Sequence, residues 1–279
     1  MEKWKEYGDR IVVGVSGGKD STATCLHLLE QGYAKEDFDR VFLDTGWEHK
    51  KTYDYLDRLE KTVGKIHRIK PEIKIREEDA DFVAGIEKRL GFESAFVRRT
   101  VLHSWFPSRI AKWCSKELKL LPLKKWFDSL DFEPLNVVGV RREESQRRAK
   151  LEEFELLELI NYYTWRPLLH WTEKDVIDIH HRFNLVPNPL YLEENERVGC
   201  WPCIFSRKKE IKILDDARID IIKDLEKYLT EKKGKPVTFF HKTPFEDIYD
   251  WSLTSRGGKQ YQLFDTEKPS CFKWGMCGA

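Results

Sequence analysis

The sequence predicts an α/β protein whose core is a doubly wound, mainly parallel sheet, and three observations support that fold class. Short apolar runs recur along the chain, each with the length and composition of a buried strand. Stretches with helical spacing separate the runs, and this alternation indicates parallel strands covered on both faces. Each run is followed by a polar cluster: SGGKDS, DTGWE or RREES. Ligands of such sheets bind beyond the carboxyl ends of the strands, so we expect the clusters to meet there.

The predicted elements follow in chain order. RIVVGV, rich in β-branched residues, predicts a strand at 10–15, and TATCLHLLEQGY predicts the helix after it. RVFL predicts a second strand at 40–43, and the apolar spacing of the next segment predicts a helix at 52–63. NVVGV predicts a third strand at 136–140, and TEKDVIDIHHRF predicts a later helix.

The character of the sequence changes in its last third. The turn-rich segment NLVPNPLY leads to GCWPC, then to a basic helical stretch and the tail CFKWGMCGA. We therefore expect an α/β domain over residues 1–190 and a smaller cysteine-containing region over residues 191–279.

Composition narrows the class of protein. The chain has 279 residues, of which 41% are hydrophobic and 35% charged, so it can bury a core beneath a polar surface. Its formal charge of +1 does not by itself indicate a nucleic-acid binder. No apolar stretch approaches the ~20 residues of a membrane span, and the start MEKWKEYGDR lacks the apolar segment of a signal peptide. We expect a cytoplasmic location and no membrane contact.

The cluster SGGKDS has the composition of a phosphate-binding loop. The common mononucleotide loop needs four residues between its first glycine and Gly-Lys-Ser/Thr, and this chain lacks that spacer. A strand, then Ser-Gly-Gly, then a helix still forms an anion site, because backbone amides and the helix dipole point at the ligand.

This loop resembles the pyrophosphate loop of the N-type ATP pyrophosphatases, which cut ATP between its α and β phosphates. With five further motifs in order, the chain resembles the phosphoadenosine-phosphosulfate (PAPS) reductase family over residues 10–205. The six motifs are SGGKDS, DTGWEHKKTYDYLDRL, WCSKELKLLPLKKWF, VVGVRREESQRRA, RPLLHWTEKDVIDI and PNPLY…GCWPC. The resemblance implies an adenine nucleotide alpha hydrolase-like fold with ATP bound in residues 1–190.

The resemblance also implies site residues. The departing pyrophosphate would be held by Ser16, Gly17, Gly18, Lys19, Asp20 and Ser21. Lys19 and the loop amides would stabilise this leaving group, with Mg²⁺ bridging the phosphates. Adenine and ribose would lie near Val15 and the Asp44, Thr45, Gly46 segment.

Four residues are candidates for catalysis at this nucleotide site: Lys19, Asp20, Arg141 and Arg142. The two arginines follow the third predicted strand and could hold the α-phosphate or the oxyanion being activated. Alternatively, they form a surface ion-pair cluster with Glu143 and Glu144.

The cysteines suggest a second centre. Cys200 and Cys203 have CxxC spacing, and iron–sulfur members of the resembled family place cluster cysteines where Cys114 lies. A [4Fe–4S] cluster held by Cys114, Cys200, Cys203 and a tail cysteine, Cys271 or Cys277, is the leading hypothesis, with Cys271 preferred. A zinc site on the same ligands and a metal-free CxxC redox pair are the alternatives.

Two further cysteines have other expected roles. Cys277, in the tail, is a candidate sulfur-carrying thiol, or else an incidental terminal cysteine. Cys25 lies on the apolar face of the first predicted helix and is expected in the core.

Two basic runs adjoin the cysteine motifs. One holds Arg109, Lys112, Lys116, Lys119 and Lys124, and the other is residues 207–209. Each could be a solvated helix face, or could neutralise a polyanionic acceptor or the cluster thiolates.

Two departures from the resembled reductases favour an enzyme that uses ATP itself. The loop SGGKDS is intact, whereas reductases that bind an already adenylated sulfate have usually lost it; the tail ends in MCGA rather than a Glu-Cys-Gly-Leu-His-like sequence. The expected function is adenylation of an acceptor for sulfur transfer, as in the ATP pyrophosphatases of DNA phosphorothioation systems. That resemblance implies a cysteine desulfurase as sulfur donor and a nucleic-acid acceptor, and a homodimer is plausible within the family.

Three alternatives remain open. One is reduction of adenylyl sulfate or PAPS to sulfite, and another is the ATP-using subunit of sulfate adenylyltransferase. The third is a non-catalytic regulator that binds adenine nucleotides.

Overall fold

A single sheet organises the computed structural model, which describes residues 3–193, residues 195–255 and Trp274. Its strands are β1 (Arg10–Gly14), β2 (Phe38–Leu43), β3 (His67–Ile69), β4 (Pro134–Val137), β5 (Phe154–Leu157) and β6 (Tyr162–Trp165). The spatial order is β3-β2-β1-β4-β6-β5, and the pairs are parallel except for the antiparallel edge pair β5–β6. The predicted α/β class with a mainly parallel sheet is therefore confirmed.

Helices connect the strands and continue beyond the sheet. The first part of the chain carries α1 (Lys19–Glu30), α2 (Lys50–Val63), α3 (Ala80–Leu90) and α4 (Ala95–His103). One helical run then comprises α5 (Trp113–Ser115), a π-helical turn (Lys116–Leu120) and α6 (Leu121–Phe127). The last helices are α7 (Glu173–Arg182), α8 (Lys208–Lys212), α9 (Asp216–Lys233) and α10 (Phe245–Leu253). Among the described helices, none is both long and apolar enough to cross a membrane.

Both faces of the central strands of the sheet are buried, as a doubly wound fold requires. Ile11 and Val13 of β1 point into one core with α1, α2 and α7. Val12 points into the opposite core, with Phe127 at the end of α6. Because successive side chains of a strand face opposite sides, this alternation shows that helices cover both faces.

A third apolar core lies outside the sheet. It joins Trp47, which follows β2, to α3, α4 and α5 and to residues from the C-terminal part of the chain, including Trp201 and Leu225. Residues on both sides of position 190 thus share this core. The predicted division into residues 1–190 and 191–279 stays a prediction.

Several predicted boundaries need correction. Helix α1 begins at Lys19 rather than Thr22, because the phosphate loop passes directly into the first helical turn. Strand β4 covers 134–137 rather than 136–140, since the chain leaves the sheet before Gly139. Helix α7 agrees with its prediction within one residue at each end.

Candidate functional site

The phosphate loop is a tight connection between β1 and α1. Gly17 has φ +72, and a Cβ there would lie 2.8 Å from the Thr52 side chain, so only glycine fits. The Ser21 hydroxyl accepts from the Ser16 amide at 3.1 Å and donates to the Gly18 carbonyl at 3.0 Å. This turn leads into the N-terminus of the twelve-residue helix α1, where free amides and the dipole favour an anion.

Two side chains from a distant segment hold the loop in place. The Asn188 amide nitrogen donates to the Gly17 carbonyl at 3.2 Å, and the Tyr191 hydroxyl accepts from the Lys19 amide at 3.0 Å. Burial raises the pKa of Tyr191, so the phenol stays neutral. Sequence reasoning assigned neither residue a role, although PNPLY was among the motifs that carry the family resemblance.

The Lys19 side chain lies in a buried, charged setting. The residue is only 9% exposed, and its Nζ lies 5.2 Å from the centre of the Tyr191 ring. Two carboxylates are near, with the ammonium 3.8 Å from Asp20 Oδ2 and 3.6 Å from Glu173 Oε1. A buried cation beside a helix N-terminus can stabilise negative charge that appears on a phosphate.

Arg141 contacts the phosphate loop. Its Nε donates to Asp20 Oδ1 at 2.5 Å, and its guanidinium also pairs with Glu143. Burial alone would lower the pKa of Arg141, but attraction to Asp20 and Glu143 outweighs it and raises that pKa. Arg141 is 3% exposed, so its ion pair with Glu143 is buried rather than on the surface, and its role at the α-phosphate stays a prediction.

Arg142 has different hydrogen-bond partners from Arg141. Its Nη2 donates to the Leu151 carbonyl at 3.1 Å, and its buried Nε has no hydrogen-bond partner among the described residues. Among the described residues, its side chain makes no hydrogen bond or ion pair with the phosphate loop. Its proposed role stays a prediction.

The chain passes very close to the loop before these arginines. A Cβ on Gly139 would lie 2.4 Å from the Asp20 carbonyl oxygen, so this position admits only glycine. The glycine in NVVGV therefore brings the end of β4 against the first turn of α1.

The DTGWE segment follows β2 at the same sheet edge. Asp44 Oδ1 accepts from the Gly46 amide at 2.8 Å and from the Tyr53 hydroxyl at 2.7 Å. Thr45 donates to both carboxylate oxygens of Glu48, at 2.8 and 2.9 Å. Burial, then the charges of Glu48 and Asp44, raise the pKa of Tyr53.

Glu48 is a site residue that sequence reasoning missed. It is 2% exposed, so a carboxylate has been taken out of water at the edge where the nucleotide is expected. The sequence shows an acidic residue two positions after the glycine of DTG, but it does not show that this residue is buried.

The CxxC segment packs directly against DTGWE. Cys200 forms an antiparallel bridge with Glu48, and the Trp201 amide donates to the Trp47 carbonyl at 2.8 Å. The Trp47 indole in turn donates to the Pro202 carbonyl at 3.0 Å. These bonds join residues 44–48, the nucleotide segment, where the nucleotide is expected, to residues 200–203, the cysteine segment.

Three predicted thiols share one neighbourhood with a lysine. Cys114, Cys200 and Cys203 all pack against the third core. Electrostatic interaction with Cys200, and then with Glu48, raises the pKa of Lys119, and Cys114 and Cys203 add to this effect. Burial raises the pKa values of Cys114 and Cys200, and the Lys119 charge acts in the opposite direction.

This donor set suits an iron–sulfur cluster or a zinc ion in its chemistry, because it offers three soft sulfur ligands in a half-buried setting. Within residues 3–193, 195–255 and 274, however, no group of three or more His, Cys, Asp or Glu is arranged to hold a metal ion. Cys271, the predicted fourth ligand, and Cys277 lie outside the described residues. Cys25 is buried, as expected of a core residue.

Helix α9 places an arginine against this junction. The Arg218 guanidinium lies 4.3 Å from the centre of a Trp47 ring, and its Nη2 donates to the Glu48 carbonyl at 3.5 Å. Arg218 is 7% exposed, and burial lowers its pKa to about 10. Sequence reasoning missed this residue because nothing local marks it.

Comparison with known proteins places the chain in a family. A family model described as the phosphoadenosine phosphosulfate reductase domain matches residues 10–206. A 37.8 kDa protein of Escherichia phage 186 is 30% identical over 310 residues, covering 90% of both chains. The adenosine 5'-phosphosulfate reductase of Geobacillus thermodenitrificans is 28% identical over 202 residues, covering 72% of this chain and 75% of its own.

A solved structure, phosphoadenylyl-sulfate reductase from Candida auris in a phosphate complex, matches at a TM-score of 0.49 and 18% identity, covering 69% of this chain and 82% of that one. The family model spans the phosphate loop, the segments after β2 and β4, and the CxxC. On that match, this chain belongs to the phosphoadenosine phosphosulfate reductase domain family.

Proposed function

We propose that this chain is an ATP pyrophosphatase that adenylates an acceptor so that sulfur can replace an oxygen, as in DNA phosphorothioate modification. The intact phosphate loop carries the proposal, with Gly17 in a conformation reserved for glycine and Lys19 buried beside the N-terminus of α1. A reductase that binds an already adenylated sulfate has no pyrophosphate to hold there. The proposed partners are a cysteine desulfurase and a nucleic-acid acceptor, and the protein would act as a homodimer without membrane contact.

The first step is attack on the α-phosphorus of magnesium-bound ATP. A non-bridging oxygen of the acceptor phosphodiester forms the new P–O bond, and the bond between the α-phosphorus and the bridging oxygen breaks. Pyrophosphate leaves into the loop, where the amides of α1 and the Lys19 ammonium neutralise it. Asp20 holds Arg141 at the loop edge, where the guanidinium can contact the α-phosphate.

The second step replaces AMP by sulfur. The terminal sulfur of a persulfide attacks the acceptor phosphorus, and AMP leaves with the former acceptor oxygen. A second thiolate then attacks the remaining S–S bond, which releases the phosphorothioate and forms a disulfide. A dithiol reductant restores the two thiols. Cys277 is the proposed carrier of the persulfide.

A [4Fe–4S] cluster is proposed on Cys114, Cys200, Cys203 and Cys271. When bound, such a cluster supplies a redox-active iron centre that can interact with sulfur. The Trp47 bonds to Trp201 and Pro202 keep Cys200 and Cys203 beside residues 44–48.

Product analysis tests the proposal. Anaerobically purified protein, assayed for iron and sulfide, is incubated with Mg²⁺, ATP and DNA. We expect AMP and pyrophosphate in equal amounts. ADP and phosphate would show that the loop exposes a different bond, and absence of cleavage with DNA, RNA and sulfate as acceptors would refute ATP use.

A second candidate is reduction of adenosine 5'-phosphosulfate. The relative of that name from Geobacillus thermodenitrificans, aligned over 72% of this chain, favours it. Thioredoxin-dependent release of sulfite from adenosine 5'-phosphosulfate would establish this activity, and the intact loop opposes it.

A further inference from the structure

A hydrogen-bonded turn ahead of Cys114 displays an apolar side chain to solvent. The Ser108 amide donates to the Ala111 carbonyl at 3.1 Å, and the Ala111 amide donates to the Ser108 hydroxyl at 3.0 Å. Ile110, at the tip, is 99% exposed. A single exposed apolar residue is ordinary on a protein surface, so its surroundings decide whether it has a role.

The surroundings are cationic and aromatic. Lys112 Nζ lies 4.7 Å, and the Arg109 guanidinium 5.6 Å, from the centre of the Phe205 ring. In the described part of the chain, neither cation pairs with a carboxylate; both lie on the ring. Because Phe205 is two residues after Cys203, these contacts fix the turn beside the CxxC segment.

Positive charge concentrates around the cysteines. Residues 105–119 hold four basic side chains and one acidic one, and residues 203–212 hold the same numbers. Each segment is therefore +3, and together they carry +6 in a chain whose formal charge is +1. Arg207 is partly neutralised by its ion pair with Glu196. The rest of the chain is net negative, so the positive charge of the sequence is concentrated in the two segments that contain Cys114 and Cys203, although Lys119 is buried beside the thiols.

We propose that residues 108–112, together with Phe205, form a nucleic-acid contact that presents a strand to the thiol cluster. Arg109 and Lys112 bind backbone phosphates, and Ile110 packs against a sugar or a base. The inference rests on the proposed function, because it names the surface that would receive its acceptor. A polyanionic backbone fits this surface better than a small anion does, because the cations are spread along an exposed turn rather than gathered in a cavity.

Binding of labelled DNA tests the surface. Anisotropy titrations with single-stranded and duplex DNA, at several salt concentrations between about 50 and 200 mM, give both the affinity and its salt dependence. We expect Arg109→Glu/Lys112→Glu to weaken binding at least about tenfold and to reduce the salt slope by about 2, one for each lost phosphate contact. Ile110→Ser is expected to weaken binding with no change in slope, because it removes an apolar contact.

The matched control is Lys61→Glu/Lys65→Glu, which reverses two exposed charges beyond the opposite, amino-terminal end of the sheet. If the control weakens binding as much as the Arg109/Lys112 pair does, overall charge explains the effect and the proposed surface is wrong. The surface is also wrong if poly-glutamate competes with DNA equally, charge for charge, because the partner would then be an acidic protein.

The outcome does not depend on turnover. ATP products are measured separately, so absence of ATP cleavage by the unsubstituted chain refutes the proposed function while the binding comparison still stands. Conversely, normal ATP cleavage with unaltered DNA binding in the Arg109/Lys112 variant refutes only the surface.

Discussion

At the level of single residues, Lys19 is the group whose removal should affect the first chemical step most. Its ammonium is buried beside the loop amides, so no solvent cation replaces it when pyrophosphate leaves. We expect Lys19→Ala to lower the rate of AMP and pyrophosphate formation by on the order of 100-fold. Lys61→Ala, an exposed lysine on α2, is the control. Near-normal turnover of Lys19→Ala would remove this lysine from the mechanism.

His180 is a buried histidine whose protonation affects the stability of the fold. It is 1% exposed, its Nδ1 donates to the Val176 carbonyl at 2.7 Å, and its ring packs on Trp274. Burial is the main cause that lowers its pKa from 6.5 to about 4, and Lys19 adds to this effect while Asp20 opposes it. The folded state therefore prefers neutral imidazole.

Burial of His180 makes the stability of the fold depend on pH. Between pH 6.5 and 4 the unfolded chain binds the proton and the folded chain does not, so this contribution is full above pH 6.5 and is lost as pH falls. It amounts to about 3 kcal/mol across the window. Urea unfolding at several pH values should show a shallower acid loss for His180→Gln than for the native chain. Parallel pH profiles would mean that another group controls the loss.

At the level of elements, helix α9 braces the junction between the nucleotide and cysteine segments. Its first turn contributes Arg218, which stacks on Trp47 and bonds the Glu48 carbonyl. Arg218→Met retains an apolar stem over the indole but loses the charged hydrogen bond. We expect the free energy of unfolding to fall by about 1–3 kcal/mol.

The control on the same helix is Lys227→Met, at an exposed position. Chemical denaturation of both variants gives the comparison. An equal change in the two would mean that the Arg218 contacts do not stabilise the junction.

The helical run from α5 to α6 places one lysine of the basic run near the three thiols. The π-helical turn at Lys116–Leu120 carries Lys119, which lies close enough to the three thiols for its pKa to respond to them. Such turns recur at functional sites. Sequence reasoning named Lys119 as a possible partner of the thiolates, but a basic run alone could not distinguish it from its neighbours.

At the scale of the whole molecule, the sequence predicted the parallel core well. Strands β1, β2 and β4 are short, apolar and followed by polar clusters, and those clusters do lie at one edge of the sheet. Strand β3 is three residues long, and β5 and β6 are partly exposed, so none of them has the apolar run that marked the others. Their existence depends on the neighbours they pair with.

The sequence predicted only those residues of the candidate site that form a local pattern. The loop residues were recognisable because their spacing is local. Asn188 and Tyr191, by contrast, hold the loop from more than 160 residues away, as the sequence separations of 171 and 172 show. Local patterns contain no information about such contacts, and the burial of Glu48 and Arg218 is equally invisible before the chain folds.

The hydrogen bonds between Trp47 and the segment Trp201–Pro202 have a thermodynamic consequence. They connect the nucleotide segment to the cysteine segment. A ligand that favours one conformation of the nucleotide segment therefore also favours the conformation of the cysteine segment that is bonded to it. Linkage is reciprocal. If modification of the thiols changes the affinity for nucleotide by some factor, nucleotide binding changes the equilibrium between unmodified and modified thiols by the same factor. A coupling of 1.4 kcal/mol, for instance, would appear as about tenfold in either measurement.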